Sequence, residues 1–365
     1  MNSGISGPLK GIKVLEFTGI GPGPFATMLL SDLGAEVLRI DRTDRAGATP
    51  DEVTARGRSS LALDLKQPDA IATCLSLAEK VDVLIEGFRP GVMERLGLGP
   101  EALSKRNPRL VYGRMTGWGQ SGPLSQAAGH DINYIAISGA LGALGPRDQP
   151  PTPPLNLVGD FGGGSLYLVL GILAALLERH VSGRGQVVDA AISDGAASLM
   201  AMDCWTRAQG WTSGRGGNFL DGSSYYYRCY ECADGKYISI GSIEPQFYER
   251  LMSGLEIDKQ HWPAKVDGCE ADGHAYLTQL FLTKTRSEWC ALLEGTDACF
   301  APVLDLAEAW VHPHNVARNT FIEMFGVVQP APAPRFSRTP GAIQGPPPAA
   351  GHGGQDLAQR WGINC

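Results

Sequence analysis

Apolar positions in the first half of the chain fall into short runs separated by helical stretches. Residues 12–17, with Ile12, Val14, Leu15 and Phe17, predict a strand. The glycine- and proline-rich residues 19–24 predict a turn, and residues 25–33 an apolar helix stopped at Gly34. Residues 36–40, 60–65, 81–85, 110–112 and 186–190 predict further strands. Pro68 suits a first helical turn, and Ile71, Cys74, Leu75 and Ala78 follow it at i, i+3, i+4 and i+7. Residues 161–179 predict a long apolar helix, and another begins near Ser193. Strand and helix alternating at this spacing imply a parallel sheet covered on both faces, a large Rossmann-like α/β domain over residues 1–190.

The pattern then changes. Residues 191–224 read as linking helices. Residues 225–232 and 237–243 flank the turn Ala233-Asp234-Gly235-Lys236 and predict a β-hairpin. Amphipathic stretches near 246–254 and 275–282 complete a smaller α+β domain over 225–306. Residues 307–365 read as a linker and a return to the large domain. Within them Gln329-Pro330-Ala331-Pro332-Ala333-Pro334 predicts a stiff linker, and residues 356–361 a short helix.

Composition narrows the function. A length of 365 residues with 43% hydrophobic and 19% charged residues fits two globular domains. A net charge of −7 excludes a general nucleic-acid binder, so an anionic ligand needs a local basic site. The strongly apolar run 166–177 is short for a bilayer and ends in Glu178-Arg179-His180, which predicts a buried helix and no membrane partner. The N-terminus has no basic region followed by an apolar core, which predicts no leader; the scattered cysteines suit a reducing, cytoplasmic compartment. Of the eight cysteines only Cys229 and Cys232 have metal or redox spacing. On a strand they point to opposite faces, and a zinc site would need a second pair, so no metal is expected.

Candidate chemistry gathers at the ends of the predicted strands. Gly19 and Gly21, with Asp41 beyond, imitate a dinucleotide fingerprint, but Pro24 replaces its third glycine and Pro22 removes a backbone donor. A tight strand-to-helix turn is the better reading. Arg42, Arg45, Arg56, Arg58 and Lys66 form one basic cluster, and Gly87-Phe88-Arg89 with Arg95 a second. Both lie at the carboxyl edge of the predicted sheet, where α/β folds bind ligands, and suit a polyphosphate. His130 and Asp160 each sit beside glycine on an apolar segment; an imidazole and a carboxylate in one pocket can remove a proton from one face of a carbon and return it to the other. A His-Asp dipeptide is also common in hydrogen-bonded surface turns. Asp160 has the position of a helix N-cap, and Gly162, Gly163 and Gly164 would let a ligand approach backbone donors there. Glu244-Pro245 closes the hairpin and opens a helix.

Three segments carry a resemblance: Gly129-His130-Asp131-Ile132-Asn133-Tyr134, Asn156-Leu157-Val158-Gly159-Asp160-Phe161-Gly162-Gly163-Gly164, and Ile243-Glu244-Pro245-Gln246-Phe247-Tyr248. With Gly117-Trp118-Gly119-Gln120-Ser121-Gly122-Pro123 and Thr296-Asp297-Ala298-Cys299-Phe300-Ala301-Pro302-Val303, the chain resembles the class III CoA-transferase family over about residues 10–340, and within it the acyl-CoA racemases. The resemblance implies an interlocked homodimer acting on an acyl-CoA thioester. It implies His130 and Asp160 as the two bases, with Asp131 in the catalytic group and Glu244 orienting His130 across subunits. It places CoA against Arg42, Leu63, Asp64, Leu65, Lys66, Gly87, Phe88, Arg89, Arg95, Gly129, Ile132, Asn133 and Tyr134. The implied reaction interconverts (R)- and (S)-2-methylacyl-CoA through an enolate held by backbone donors. The thioester is the electron sink and CoA is part of the substrate, so no cofactor is expected. The alternative is CoA transfer with Asp160 as nucleophile; an NAD-dependent oxidoreductase and a non-catalytic acyl-CoA-binding protein fit less well. Ser223 and Ser224 stand where the family carries small apolar residues, which bears on the acyl pocket.

Overall fold

The computed structural model describes residues 6–210, 214–218, 220–263 and 270–363. The first five residues, read above for a leader, and Cys269 and Cys365 lie outside them. The chain divides into two compact units, one of Met1–Ala140, Pro154–Met202 and Asn319–Cys365, the other of Leu141–Pro153 and Asp203–Arg318.

The first unit is built on a six-stranded sheet in the order β3-β2-β1-β4-β5-β6. The strands are β1 (Lys13–Phe17), β2 (Glu36–Asp41), β3 (Arg58–Ala62), β4 (Val83–Glu86), β5 (Val111–Thr116) and β6 (Val187–Ala191). Every pairing is parallel. The strand period of two sends alternate residues to opposite cores. Leu15, Leu38 and Leu84 pack on one face with helix α2 (Pro68–Ala78); Val14, Val37 and Val83 pack on the other with α1 (Pro22–Asp32). Each such burial contributes about 1.5–3 kcal/mol, so a one-residue slip of any strand would forfeit a whole row.

Some element limits differ from expectation. Helix α1 begins at Pro22, because proline fits the first turn and Gly21 just before it takes a φ of 69°. Strand β3 starts at Arg58 and ends at Ala62, so Leu63, Asp64, Leu65 and Lys66 leave the sheet as a loop at its carboxyl edge. Short helix α3 (Asp131–Ile137) begins directly after His130.

Leu157–Ser165 is π-helical, the Phe161 amide donating to the Asn156 carbonyl at 3.1 Å, and it runs on into α4 (Leu166–Ser182). Asp160 is therefore inside a wide helical turn and not an N-cap. Leu157–Ser182 is long and apolar enough to cross a membrane by length and composition, with mean hydropathy 1.7 in its most apolar stretch. Its buried residues Leu168, Val169, Ile172 and Ala175 join the core on one face of the sheet. Helix α5 (Ile192–Leu199) follows β6.

In the second unit β7 (Tyr227–Glu231), β8 (Tyr237–Gly241) and β9 (Phe300–Val303) form an antiparallel sheet. It carries α6 (Pro245–Gly254), α7 (Glu270–Phe281) and α8 (Arg286–Leu293). Cys229 is exposed and Cys232 buried, as strand alternation requires. The expected stiff linker is partly strand: β10 (Phe321–Met324) pairs antiparallel with β11 (Val327–Pro330) in the first unit. Gln329 is buried there and accepts from the Arg56 guanidinium at 2.7 Å. Helix α9 (Gly354–Arg360) closes the first unit against the α2 face of the sheet.

Candidate active site

A cavity of about 920 Å³ opens in the first unit at the carboxyl ends of β1, β2, β4 and β5. This is where parallel α/β sheets place ligands, because the loops leaving the strands diverge there. Arg42, Leu63, Asp64, Leu65, Lys66, Gly87, Phe88, Gly129, His130, Tyr134 and Asp160 all line it. Arg89 is exposed beside it, and its charge acts on the Tyr134 phenol. Arg95, Ile132 and Asn133 are exposed and outside the lining. Glu244 belongs to the second unit, at the N-cap of α6, where burial and then the Glu244 charge push up the Cys299 thiol.

The basic cluster divides by direction. Arg42 forks onto Asp44 at 2.8 and 2.5 Å, and both remain exposed. Arg45 and Lys66 line the cavity. Arg56 and Arg58 do not. Arg56 is buried on Asp32 at 2.5 Å, and Arg58 is buried on Glu16 at 2.6 Å. Asp41, the acid of the imitation dinucleotide fingerprint, is likewise taken, by Arg39 at 2.9 Å and the Ser60 hydroxyl at 2.5 Å.

His130 and Asp160 reach the cavity from two elements. The backbone N–H of His130 donates to Asn133 Oδ1 at 3.0 Å, which fixes the chain where α3 starts. Asp131 lies outside the lining and accepts the Asp160 backbone N–H on Oδ1 at 2.6 Å. A Cβ at Gly159 would meet that oxygen at 2.2 Å, so glycine there is a condition of the contact. Phe161 stacks on Phe25 at 4.1 Å between centroids, holding the π-helical segment to α1. Gly162, Gly163 and Gly164 face packed protein rather than a ligand. A Cβ at Gly163 would lie 2.6 Å from Ala196 N, and one at Gly164 3.0 Å from the Ile192 side chain. The amides of Asp160 and Phe161 are already bonded, to Asp131 and Asn156, so they are not the backbone donors expected for an enolate.

Burial, reinforced by the Asp131 charge and opposed by His130, raises the Asp160 carboxyl from 3.8 to about 6. A carboxyl tuned this close to neutrality can both take and give a proton. The shift also has a stability consequence. Folding favours the protonated acid, so that contribution is full below pH 3.8 and is lost as pH rises through about 6. Asp160→Asn carries no such loss. It should be more stable than the wild type at pH 8 by about 1–2 kcal/mol, discounted for partial exposure, and gain little at pH 4. Calorimetric melting across that range tests this; an advantage confined to pH 4 would refute it.

Glu16 and Glu86 were not singled out by pattern, and Gly21 and Gly117, quoted above within motifs, had no contact assigned to them. Gly21 brings backbone so close that a Cβ there would sit 3.2 Å from Asp160 Oδ2. Gly117 makes room for Tyr134, whose ring a Cβ would meet at 2.0 Å, and Trp118 packs edge-on at 4.7 Å. Gly117 and Trp118 are thus the socket for one aromatic wall. Glu16 and Glu86 line the floor, each from the end of a buried strand.

The profile of CoA-transferase family III matches residues 9–353. The chain belongs to that family. It is 46% identical to "Alpha-methylacyl-CoA racemase" of Mus musculus over 335 residues, covering 91% of this chain and 87% of the relative. Identity to the Homo sapiens protein of the same name is 45%, with the same coverage. It is 28% to "Succinyl-CoA:glutarate CoA-transferase" of Homo sapiens, over 94% of this chain and 84% of that one. Among solved structures, a CAIB/BAIF family protein from Brucella suis superposes with a TM-score of 0.83 at 25% identity, covering 98% of this chain and 100% of that one. Within the family, therefore, similarity to the curated racemases is well above that to this transferase.

Proposed function

We propose that this chain interconverts (R)- and (S)-2-methylacyl-CoA thioesters by 1,1-proton transfer. The observation that carries the reading is that His130 and an Asp160 tuned to about 6 line one cavity. The 46% identity to a curated racemase gives the same direction. One base removes the α-proton, the thioester carbonyl takes up the charge as an enolate, and the other group protonates the opposite face. Each positioned acid or base contributes roughly 10²–10⁴-fold. Asp131 acts beneath Asp160, holding its backbone and raising its carboxyl.

Arg42, Arg45 and Lys66 receive the CoA phosphates, with Arg89 and Arg95 on the same edge; Leu63, Asp64, Leu65, Gly87, Phe88, Gly129 and Tyr134 shape the cavity around the carrier. Ile132 and Asn133 support it from α3. CoA is part of the substrate, and the chemistry asks for no metal or organic cofactor. The working form is a cytoplasmic, interlocked homodimer in which Glu244 of one subunit orients His130 of the other. The acid–base pair favours this reading over CoA transfer, which needs Asp160 as a nucleophile and gives His130 no carbon-acid role.

Each pure enantiomer of a 2-methylacyl-CoA, incubated with the wild type in D₂O, should drift to one common mixture with deuterium at the α-carbon. Transfer of CoA to a carboxylate acceptor, without α-exchange from either enantiomer, would overturn the proposal.

A further inference from the structure

Beneath the second basic segment lies a cluster of charges that proton transfer does not use. Glu86 ends β4 and its side chain is 1% exposed. Its register partner on β5 is Arg114, also buried. Arg114 Nε donates to Glu86 Oε1 at 2.9 Å, while Glu86 Oε2 accepts the Phe88 backbone N–H at 2.7 Å. The other edge of the guanidinium turns the opposite way. Nη1 and Nη2 donate to the two oxygens of Glu94 at 2.8 and 3.3 Å. Glu94 belongs to the short helix Val92–Arg95. One arginine therefore bonds both ends of the segment 87–95, the segment that carries Phe88, Arg89 and Arg95.

Neighbouring contacts extend the same hold. Tyr112, two residues earlier on β5, places its ring 5.9 Å from the Arg114 guanidinium and donates its hydroxyl to the Leu98 carbonyl at 3.0 Å. Gln126 donates to the Pro90 carbonyl at 3.2 Å. A Cβ at Gly99 would lie 2.8 Å from Glu94 Cγ, so glycine there lets the chain pass close over the acid. A buried arginine with two carboxylates is not the cheapest way to fill this space, because well-packed apolar side chains would stabilise the fold at least as well. What the cluster supplies is direction: forked, charge-assisted bonds fix two points of a loop at once.

We infer that Arg114, with Glu86 and Glu94, is a positioning device that holds the 87–95 segment in the shape that receives CoA. The inference rests on the reading of the cavity as a CoA site. None of the three is a catalytic residue. They act through Phe88, which lines the cavity and whose backbone N–H Glu86 holds, and through the two arginines carried on the same segment. Lysine cannot replace Arg114, since a single ammonium cannot present two edges to two carboxylates.

The test is calorimetric titration with CoA itself, together with kcat and KM on a 2-methylacyl-CoA. Arg114→Lys should weaken CoA binding about tenfold, and Glu94→Ala about three- to tenfold, with KM rising more than kcat falls. Glu94→Gln keeps an acceptor oxygen for Arg114 and should restore most of the affinity. Glu94 is 45% exposed, so its variants report even if Arg114→Lys does not fold. Wild-type CoA affinity in folded Glu94→Ala, or in folded Arg114→Lys, overturns the inference and leaves the functional reading standing. A wild-type chain that does not bind CoA overturns both.

Discussion

His130→Ala and Asp160→Ala should each stop interconversion of the enantiomers, lowering kcat/KM by about 10²–10⁴-fold. Each variant keeps one base, so the losses are not symmetrical in isotope exchange. His130→Ala should still exchange the α-proton of one enantiomer in D₂O, slowly and with retention, and Asp160→Ala that of the other. NMR of each pure enantiomer with each variant reads this directly. A transferase gives a different pattern: Asp160→Ala inactive, His130→Ala nearly normal, and an acyl or CoA adduct on Asp160 visible by mass spectrometry. Near-normal racemisation by His130→Ala would end the two-base mechanism.

The largest effect on stability should come from Arg58→Met, at about 3–5 kcal/mol. Glu16 would be left as an unpaired charge with its side chain 1% exposed, beneath the first turn of the cavity. Arg58 also donates to the carbonyls of Pro24, Thr54 and Arg56, so three further acceptors lose a donor. Adding Glu16→Leu removes the stranded charge and should recover part of the loss. It cannot recover all of it, because the carbonyls of Thr54 and Arg56 still lose the Arg58 donor, at about 1 kcal/mol or more each. Hydrogen exchange at the amides of β1 and β3 localises the effect to the strands that carry the pair. Equal protection in the wild type and Arg58→Met would refute the argument.

The same arginine marks what could and could not be read from the chain. The strand–helix alternation was legible because a period of two and a period of 3.6 leave different spacings, and nearly every strand of the large sheet showed one. Strand β3 was displaced because Arg58, Ser59 and Ser60 are polar, although Arg58 and Ser60 are buried in the fold. A run of arginines shows charge but not direction: Arg42 and Arg45 look outward, while Arg56 and Arg58 close internal ion pairs. His130 and Asp160 were legible as chemistry, and both do line one cavity. Their supports were not. The contact from Asp131 to the Asp160 amide spans 29 residues, and the role of Gly159 exists only in that contact. The π-helical turn had no pattern to reveal it, because four of its nine residues are glycine and carry no periodic signal.

That turn makes the number of residues between Asn156 and Leu166 a chemical parameter. The segment is pinned on both sides, by Asp131 on the Asp160 amide and by the Ser165 hydroxyl at 2.7 Å from the Pro22 carbonyl. A single deletion between those pins would allow ordinary α-helical bonding, which advances about 100° per residue. The apolar face of α4 could keep its place on the sheet only by turning the Asp160 carboxyl out of the cavity. Homologues shortened by one residue here should therefore keep the architecture and lose the reaction, a divergence that a comparison of percentage identity would pass over.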